Sequence, residues 1–180
     1  MKNHLFLTGF MGAGKSKIGP LLADQFGCPF YDADSLIEDE AGMVISDIFR
    51  EFGEPYFRSI ESDIISRLVH FKKRSVIALG GGALMKKNSF DLISDNGILI
   101  YIKSSPEEIY KRVKDSGKRP LLSVSDDRDQ KESMLNRIRS LLTERAPIYE
   151  KADIIIDRDP LTLEEIVAEI FNKVNECRIN

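Results

Sequence analysis

A glycine-rich stretch near the amino terminus carries the clearest chemical signal in the sequence. Residues 9–16 read GFMGAGKS and fit the pattern G-x-x-x-x-G-K-[ST]. In that pattern the glycines let backbone N–H groups wrap a phosphate, the lysine adds charge for the outer phosphates, and the serine offers a hydroxyl to magnesium. The stretch therefore predicts a nucleoside triphosphate site. The residues expected to bind the nucleotide here are Gly12, Ala13, Gly14, Lys15, Ser16 and Lys17.

Two other interpretations of this stretch exist. A dinucleotide-binding G-x-G-x-x-G fingerprint is excluded because Lys17 stands where the third glycine is required. An ordinary glycine-rich turn with an exposed lysine remains the alternative. The apolar run HLFLTG before the stretch and a helical pattern from about Lys15 onward favour the phosphate loop, because a helix N-terminus attracts anions.

A pair of carboxylates follows the next short apolar segment. In YDAD, Asp32 and Asp34 come directly after CPFY, and strand alternation would point both side chains the same way. One carboxylate would then complete a magnesium shell, and the other would orient an acceptor hydroxyl for phosphoryl transfer. The alternative is that these aspartates cap the helix that begins near SLIEDE.

Three consecutive glycines and three arginines complete the candidate site. Gly80, Gly81 and Gly82 end an apolar strand at the expected ligand edge of the sheet, where only backbone N–H groups can be presented. A tight turn is the alternative explanation for these glycines.

Each arginine also has a specific setting. Arg58 lies three residues before Glu61, and a surface salt bridge between the two is the alternative to a role in the site. Arg119 stands at the root of an irregular polar segment, and Arg145 precedes Pro147, where a helix should end. These settings suit a cation on a mobile lid for Arg119 and a fixed carboxylate-binding fork for Arg145.

The ordered set of motifs resembles the shikimate kinases, within the nucleoside monophosphate kinase-like group of P-loop proteins. The segments that carry the resemblance span nearly the whole chain: GFMGAGKS, DAD at 32–34, FGEPYFRSIE, GGGA, RPLL and ERAPIY. The resemblance implies an α/β, three-layer P-loop fold whose five-stranded parallel sheet has the order 2-3-1-4-5. It also implies transfer of a phosphoryl group from ATP to the 3-hydroxyl of shikimate, toward chorismate and aromatic amino acids.

The resemblance assigns a role to each candidate residue. It implies that Ser16 and Asp32 hold Mg²⁺, that Asp34 binds and activates the shikimate hydroxyl, and that Lys15 and Arg119 act on the transferring phosphoryl group. It further implies that Arg58, the backbone of residues 80–82 and Arg145 bind shikimate. The family also has an adenine-contacting loop after its last strand, and the corresponding residues here are DRDP, 157–160.

These residues need a scaffold, and the rest of the sequence predicts one. The apolar runs HLFLTG, SVIALGG, GILIYIK and ADIIID alternate with helical patterns, which favours a parallel sheet covered by helices. We expect helix caps at Ser105 and Thr162. The 180 residues fit one domain, with a lid at about 116–130 and a substrate-binding helical region at about 34–62.

Net charge, apolar runs and cysteine content limit the kinds of partner and the compartment that we expect. A net charge of −3 gives no global field for nucleic acid or membrane surfaces, and no apolar run reaches the length of a membrane span. Two cysteines without metal-ligand spacing predict free thiols in a reducing compartment, so we expect a cytoplasmic monomer that binds small molecules. Other small-metabolite kinases, such as a gluconate kinase, remain the nearest alternative. A GTP-dependent switch, which lacks support because no N-K-x-D motif occurs, and an inactive nucleotide-binding module are more distant.

Overall fold

The computed structural model describes residues 3–114 and 130–179, which form a parallel β-sheet with helices on both faces. The strands lie in the order β2-β3-β1-β4-β5, as expected from the resemblance. The elements in chain order are β1 (His4–Thr8), α1 (Lys15–Phe26), β2 (Phe30–Asp32), α2 (Ala33–Ala41), α3 (Ile45–Val69), β3 (Val76–Ala78), a 3₁₀ turn (Ala83–Met85), α4 (Lys87–Asn96), β4 (Gly97–Lys103), α5 (Pro106–Val113), α6 (Gln130–Tyr149), β5 (Ile154–Asp157) and α7 (Leu163–Ile179).

Strand β1 lies at the centre of the sheet and is buried on both faces. Its residues pair in parallel register with β3 on one side and with β4 on the other. Leu5 and Leu7 pack into the apolar cluster under α1 and α7, whereas Phe6 packs into the cluster under α3. This alternation is the two-residue period of a strand, and burial on both faces explains why Leu5, Phe6 and Leu7 are all apolar.

Helix caps fix the entry points of two helices. The Ser105 side chain accepts a hydrogen bond from the N–H of Glu108, and Pro106 occupies the first turn of α5. At α7, Thr162 Oγ1 accepts from the N–H of Glu165, and the Glu165 carboxylate accepts from the N–H of Thr162 at 2.8 Å. This reciprocal pair is a capping box. Both predicted caps are confirmed.

Two local predictions about the scaffold are wrong. Asp34 does not lie on a strand, because β2 ends at Asp32 and α2 begins at Ala33. Pro147 does not end its helix, since α6 continues to Tyr149. A proline inside a helix removes one N–H donor, and the packing of the last turn against the core outweighs that loss here.

Three further features of the scaffold are a break in α3, two free cysteines and the character of the helices. Helix α3 is broken at Gly53, whose φ of 79° is a left-handed conformation, so the part that carries Arg58 runs in its own direction. Cys28 and Cys177 are both free, as the sequence predicts. Among the described residues, no helix is both long and apolar enough to cross a membrane.

Candidate functional site

The phosphate-loop motif forms the turn between β1 and α1, at the carboxyl end of the central strand. Lys15 is the first residue of α1, and its Nζ folds back to donate hydrogen bonds to the carbonyls of Gly9, at 2.9 Å, and Phe10, at 3.3 Å. The cation therefore lies against the backbone of its own loop. This placement joins a point charge to the positive end of a helix, which is the arrangement that binds an anion.

Gly14 occupies the last position of the loop, where the backbone conformation favours glycine. Its φ of 97° is a conformation that side chains rarely adopt. A Cβ at this position would also lie 2.9 Å from Nε of Arg158, which follows β5. The loop is thus covered by a guanidinium that comes from the other end of the chain.

Ser16 and Asp32 form a joint oxygen site beside the loop. The Ser16 hydroxyl donates to Oδ2 of Asp32 at 2.6 Å, and Oδ1 of Asp32 accepts from the N–H of Asp34 at 3.1 Å. Asp32 is therefore the N-cap of α2, which was the alternative reading of this residue from sequence. Capping holds the carboxylate in place without preventing it from facing the phosphate loop.

Asp34 reaches the same region from a different element than predicted. It lies in the first turn of α2, and it lines a cavity of about 400 Å³ together with Asp32, Lys15, Ser16 and Gly81. Two aspartates separated by one residue therefore share a cavity because one of them caps the helix that carries the other. Strand alternation, which the sequence suggested, is not the reason.

The three glycines after β3 form a strip of bare backbone, and each of them faces a different charged group. A Cβ at Gly80 would lie 2.8 Å from Oδ1 of Asp34 and 2.7 Å from Oε1 of Glu61. At Gly82 it would lie 2.9 Å from Cζ of Arg58, and at Gly81 it would lie 3.4 Å from Nη1 of Arg145. We call residues 80–82 the glycine strip. Its lack of side chains lets these charged groups converge on it.

Arg58 is held by two carboxylates rather than by one surface pair. Its Nη1 donates to Oε2 of Glu61 at 2.7 Å, and its Nη2 donates to Oε1 of Glu54 at 3.0 Å. Glu61 is only 3% exposed, so the alternative of a surface salt bridge is wrong and the pair is an ion pair with one buried partner. Burial raises the pKa of Glu61 above its ordinary value; Arg58 opposes that rise and Asp34 adds to it.

Arg145 is buried, with 5% of its surface exposed, and projects from α6 to the glycine strip. Its Nη1 donates to the carbonyl of Gly81 at 3.0 Å, and its guanidinium lies 5.6 Å from the ring of Phe10. Within the described residues, its buried Nε has no hydrogen-bond partner. A buried cation with an unused donor is costly unless a ligand supplies the missing acceptor.

Two residues at this site, Glu61 and Arg112, have positions that sequence reasoning did not predict. Glu61 was considered only as the partner of Arg58, yet it faces Gly80. Arg112 was missed, although it lines the cavity at the phosphate loop with Arg158, because its i,i+4 spacing from Glu108 is typical of a surface pair. Arg119, predicted to act from a lid, lies outside the described residues, as does all but the last residue of the predicted lid.

Comparison with known proteins gives one consistent family. The family model described as shikimate kinase matches residues 11–175. A curated shikimate kinase of Thermodesulfovibrio yellowstonii is 41% identical over 173 residues, which cover 96% of this chain and 95% of the relative. A solved shikimate kinase of Acinetobacter baumannii, in complex with shikimate, superposes with a TM-score of 0.90 at 30% identity, covering 99% of this chain and 96% of that chain.

A more distant likeness bears on the alternative function. A gluconokinase of Sinorhizobium meliloti superposes with a TM-score of 0.60, covering 98% of this chain and 93% of that chain, but the two sequences are only 19% identical. This likeness shows a shared fold and nothing about the acceptor. The residues that distinguish acceptors must therefore be sought at the glycine strip rather than in the fold.

Proposed function

This chain belongs to the shikimate kinase family, and on that premise we propose that it transfers the γ-phosphoryl group of ATP to the 3-hydroxyl of shikimate. The products are ADP and 3-phosphoshikimate, on the route to chorismate and the aromatic amino acids. The observation that supports this assignment best is the glycine strip. Two carboxylates and two arginines converge there, beside a phosphate loop.

The nucleotide would bind at the loop between β1 and α1. The backbone from Gly12 to Lys17 would surround the phosphates, and Lys15 would exchange its two carbonyl acceptors for phosphate oxygens. Arg112 and Arg158 line the same cavity and would contact other parts of the nucleotide. We also assign to Arg119, on the proposed lid, the cation that reaches the transferring group.

The oxygen pair of Ser16 and Asp32 fits a magnesium ion. Mg²⁺ prefers hard oxygen ligands and usually takes one or two from the protein, with phosphates and waters supplying the rest. The hydroxyl and the carboxylate already lie 2.6 Å apart beside the phosphate loop, so both would hold the ion. When bound, the ion neutralises charge on the phosphate oxygens.

The acceptor would lie on the glycine strip. A carboxylate ligand would supply the acceptor that the buried Nε of Arg145 lacks, and Arg58 would contribute a second cation. Asp34, at the junction between the strip and the phosphate loop, would accept a hydrogen bond from the attacking hydroxyl. This arrangement distinguishes an acid with ring hydroxyls from a neutral sugar, because a neutral ligand would leave Arg145 unsatisfied.

The chemistry then depends on positioning and charge. The transition state of phosphoryl transfer is loose and spreads negative charge over the transferring oxygens, so the protein mainly aligns the reactants and supplies cations. Asp34 orients the hydroxyl and takes its proton, Lys15 stabilises charge on the outer phosphates, and the glycine strip holds the ring of the acceptor. Removing water from this cavity strengthens each of these interactions.

Three wider statements also belong to this proposal. We propose that the enzyme works as a monomer. We place the enzyme in the cytoplasm, where its reactants would be available and where free cysteines stay reduced. We treat residues 1–180 as one domain whose helical region 34–62 binds the acceptor.

One assay tests the function directly. Purified protein is given Mg²⁺ and ATP with shikimate, with gluconate, or with neither, and release of ADP is measured. We expect ADP only with shikimate. Turnover with gluconate would overturn the assignment of the acceptor, and release of ADP without any acceptor would indicate a nucleotide hydrolase instead.

A further inference from the structure

A buried tyrosine that the reaction scheme above does not use touches the glycine strip. Tyr149 is the last residue of α6, one helical turn after Arg145, and it is 0% exposed. Its hydroxyl donates to the carbonyl of Gly81, the same oxygen that accepts Nη1 of Arg145. Two donors from one helix end therefore meet at a single backbone oxygen.

This double hydrogen bond has a geometric consequence. A carbonyl oxygen has two lone pairs, and both are occupied when Tyr149 and Arg145 donate to Gly81. Because a peptide unit is planar and trans, fixing that oxygen also fixes the N–H of Gly82 on the opposite side. Of the backbone hydrogen bonds found in residues 3–114 and 130–179, none uses an N–H of the glycine strip as donor. Within the described part of the chain, the turn, loop and cap hydrogen bonds therefore leave these N–H groups without a backbone acceptor.

The surroundings of Tyr149 keep its hydroxyl in one place. The ring packs against that of Tyr101, with centroids 4.9 Å apart. Burial raises the pKa of Tyr149, so the phenol stays protonated and remains a donor at neutral pH. The hydroxyl is therefore a permanent donor to the strip rather than a titrating group.

We propose that Tyr149 is a positioning residue for the acceptor substrate: its hydroxyl fixes the Gly81 carbonyl and, through it, the orientation of Arg145 and of the glycine strip. This inference rests on the proposed function, because it assigns Tyr149 to the shikimate half of the site. The proposal predicts an effect on shikimate rather than on ATP. The reason is that Tyr149 belongs to the apolar cluster under α3 and does not itself line the cavity at the phosphate loop.

The test compares two tyrosines that stack on each other. Tyr149→Phe removes only the hydroxyl that reaches Gly81, and Tyr101→Phe removes the hydroxyl of its ring partner. Steady-state kinetics are measured for each substrate in the wild-type enzyme and in both variants. We expect Tyr149→Phe to raise the KM for shikimate about fivefold, the effect of one ordinary hydrogen bond, and to change the KM for ATP less than about twofold. Tyr101→Phe should leave both constants unchanged.

A second measurement follows ligand binding through the thermal midpoint, in the absence of turnover. The rise in thermal midpoint on adding shikimate should be smaller in Tyr149→Phe than in the wild type, whereas the rise on adding ATP should be equal. A purely structural role would lower the midpoint of the free protein and leave both ligand-induced rises intact, which would overturn the inference. Equal changes in the two KM values would also overturn it. A wild-type protein that does not use shikimate would instead overturn the proposed function itself.

Discussion

The two halves of the site are built in different ways. The nucleotide half, residues 9–17 with Asp32, consists mostly of one continuous loop, and Lys15 bonds to a carbonyl only 6 residues before it. The acceptor half consists of Asp34, Arg58, Glu61, the glycine strip and Arg145, and its bond between Arg145 and Gly81 joins residues 64 apart in sequence. The first half is made by local chain geometry, and the second is made by tertiary packing.

This difference has consequences for how each half responds to change. A loop that wraps phosphate with its own N–H groups depends on the backbone conformation of neighbouring residues. A pocket assembled from α2, α3, α6 and the end of β3 depends on side chains that hold one another, such as Glu61 with Arg58. We therefore expect substitutions in the acceptor half to alter shikimate constants while ATP constants stay nearly unchanged.

The largest expected effect is a fall in kcat when Asp34 is substituted. It tests the chemical step in the acceptor half separately from substrate binding. Asp34→Asn keeps the shape of the side chain but removes the base, so kcat should fall about 100- to 10,000-fold. Binding of ATP, followed by titration with a fluorescent nucleotide, should persist because the loop is intact. Asp39→Asn, an exposed position on the same helix, is the matched control. Normal turnover of Asp34→Asn would remove Asp34 from the chemistry.

The next effect tests the cation of the acceptor half. Arg145→Ala removes a buried guanidinium that would meet a carboxylate, a loss of about 2–5 kcal/mol, so the KM for shikimate should rise at least about 30-fold. The KM for ATP should change little. Arg139→Ala removes an exposed arginine from the same helix and should leave both constants alone. An unchanged KM for shikimate in Arg145→Ala would exclude this residue from the substrate site.

A reciprocal pair of glycine substitutions contrasts the two halves directly. In Gly82→Ala the backbone φ of −111° is acceptable, so the added methyl should act only by displacing Arg58. The KM for shikimate should then rise about tenfold, typical of overpacking by one methyl group. Gly14→Ala should instead raise the KM for ATP, since its methyl meets Arg158 and its φ is 97°. Parallel changes in both constants for either variant would show that the halves are not independent.

The same contrast explains what could be predicted from sequence. The phosphate loop was recognisable because its chemistry lies in eight consecutive residues with a strand before and a helix after. Strands were recognisable because parallel strands are mostly apolar, and β3 (VIA) is apolar throughout. The strand order came from resemblance, since the apolar runs alone do not say which strands are neighbours. The local settings of Arg119 and Arg145 suggested their charges' roles, and the resemblance assigned them to particular substrates.

The features that sequence reasoning missed depend mostly on tertiary contacts. Asp34 belongs to a helix because Asp32 caps α2, and a three-residue strand is too short for its end to be located from alternation. Tyr149 was missed because a helix was expected to stop at Pro147, two residues earlier. Arg112 and Glu61 look like members of ordinary helical charge pairs, and only the fold shows that they face a cavity or the glycine strip.

The smallest expected effect concerns the buried carboxyl that holds Arg58. The pKa of Glu61 is raised in the folded protein, chiefly by burial, so the folded state binds a proton more tightly than the unfolded state. The stability that this group contributes is therefore complete below its unfolded pKa and decreases as the pH rises through its folded pKa. Glu61→Gln removes the titration while keeping the shape of the side chain.

The measurement is the difference in thermal midpoint between wild type and Glu61→Gln, taken at a series of pH values upward from about the unfolded pKa of 4.5. We expect this difference to shift against the wild type by a few °C as the pH rises, because about 1 kcal/mol moves the midpoint of a protein of this size by about 2–4 °C. The same comparison with Asp63→Asn, an exposed carboxylate on the same helix, should be flat. A shift in favour of the wild type would mean that Arg58 stabilises the ionised carboxylate by more than burial costs. The acceptor half would then be held together by its ion pair and would loosen in acid, whereas the nucleotide half, which depends on backbone geometry, would not.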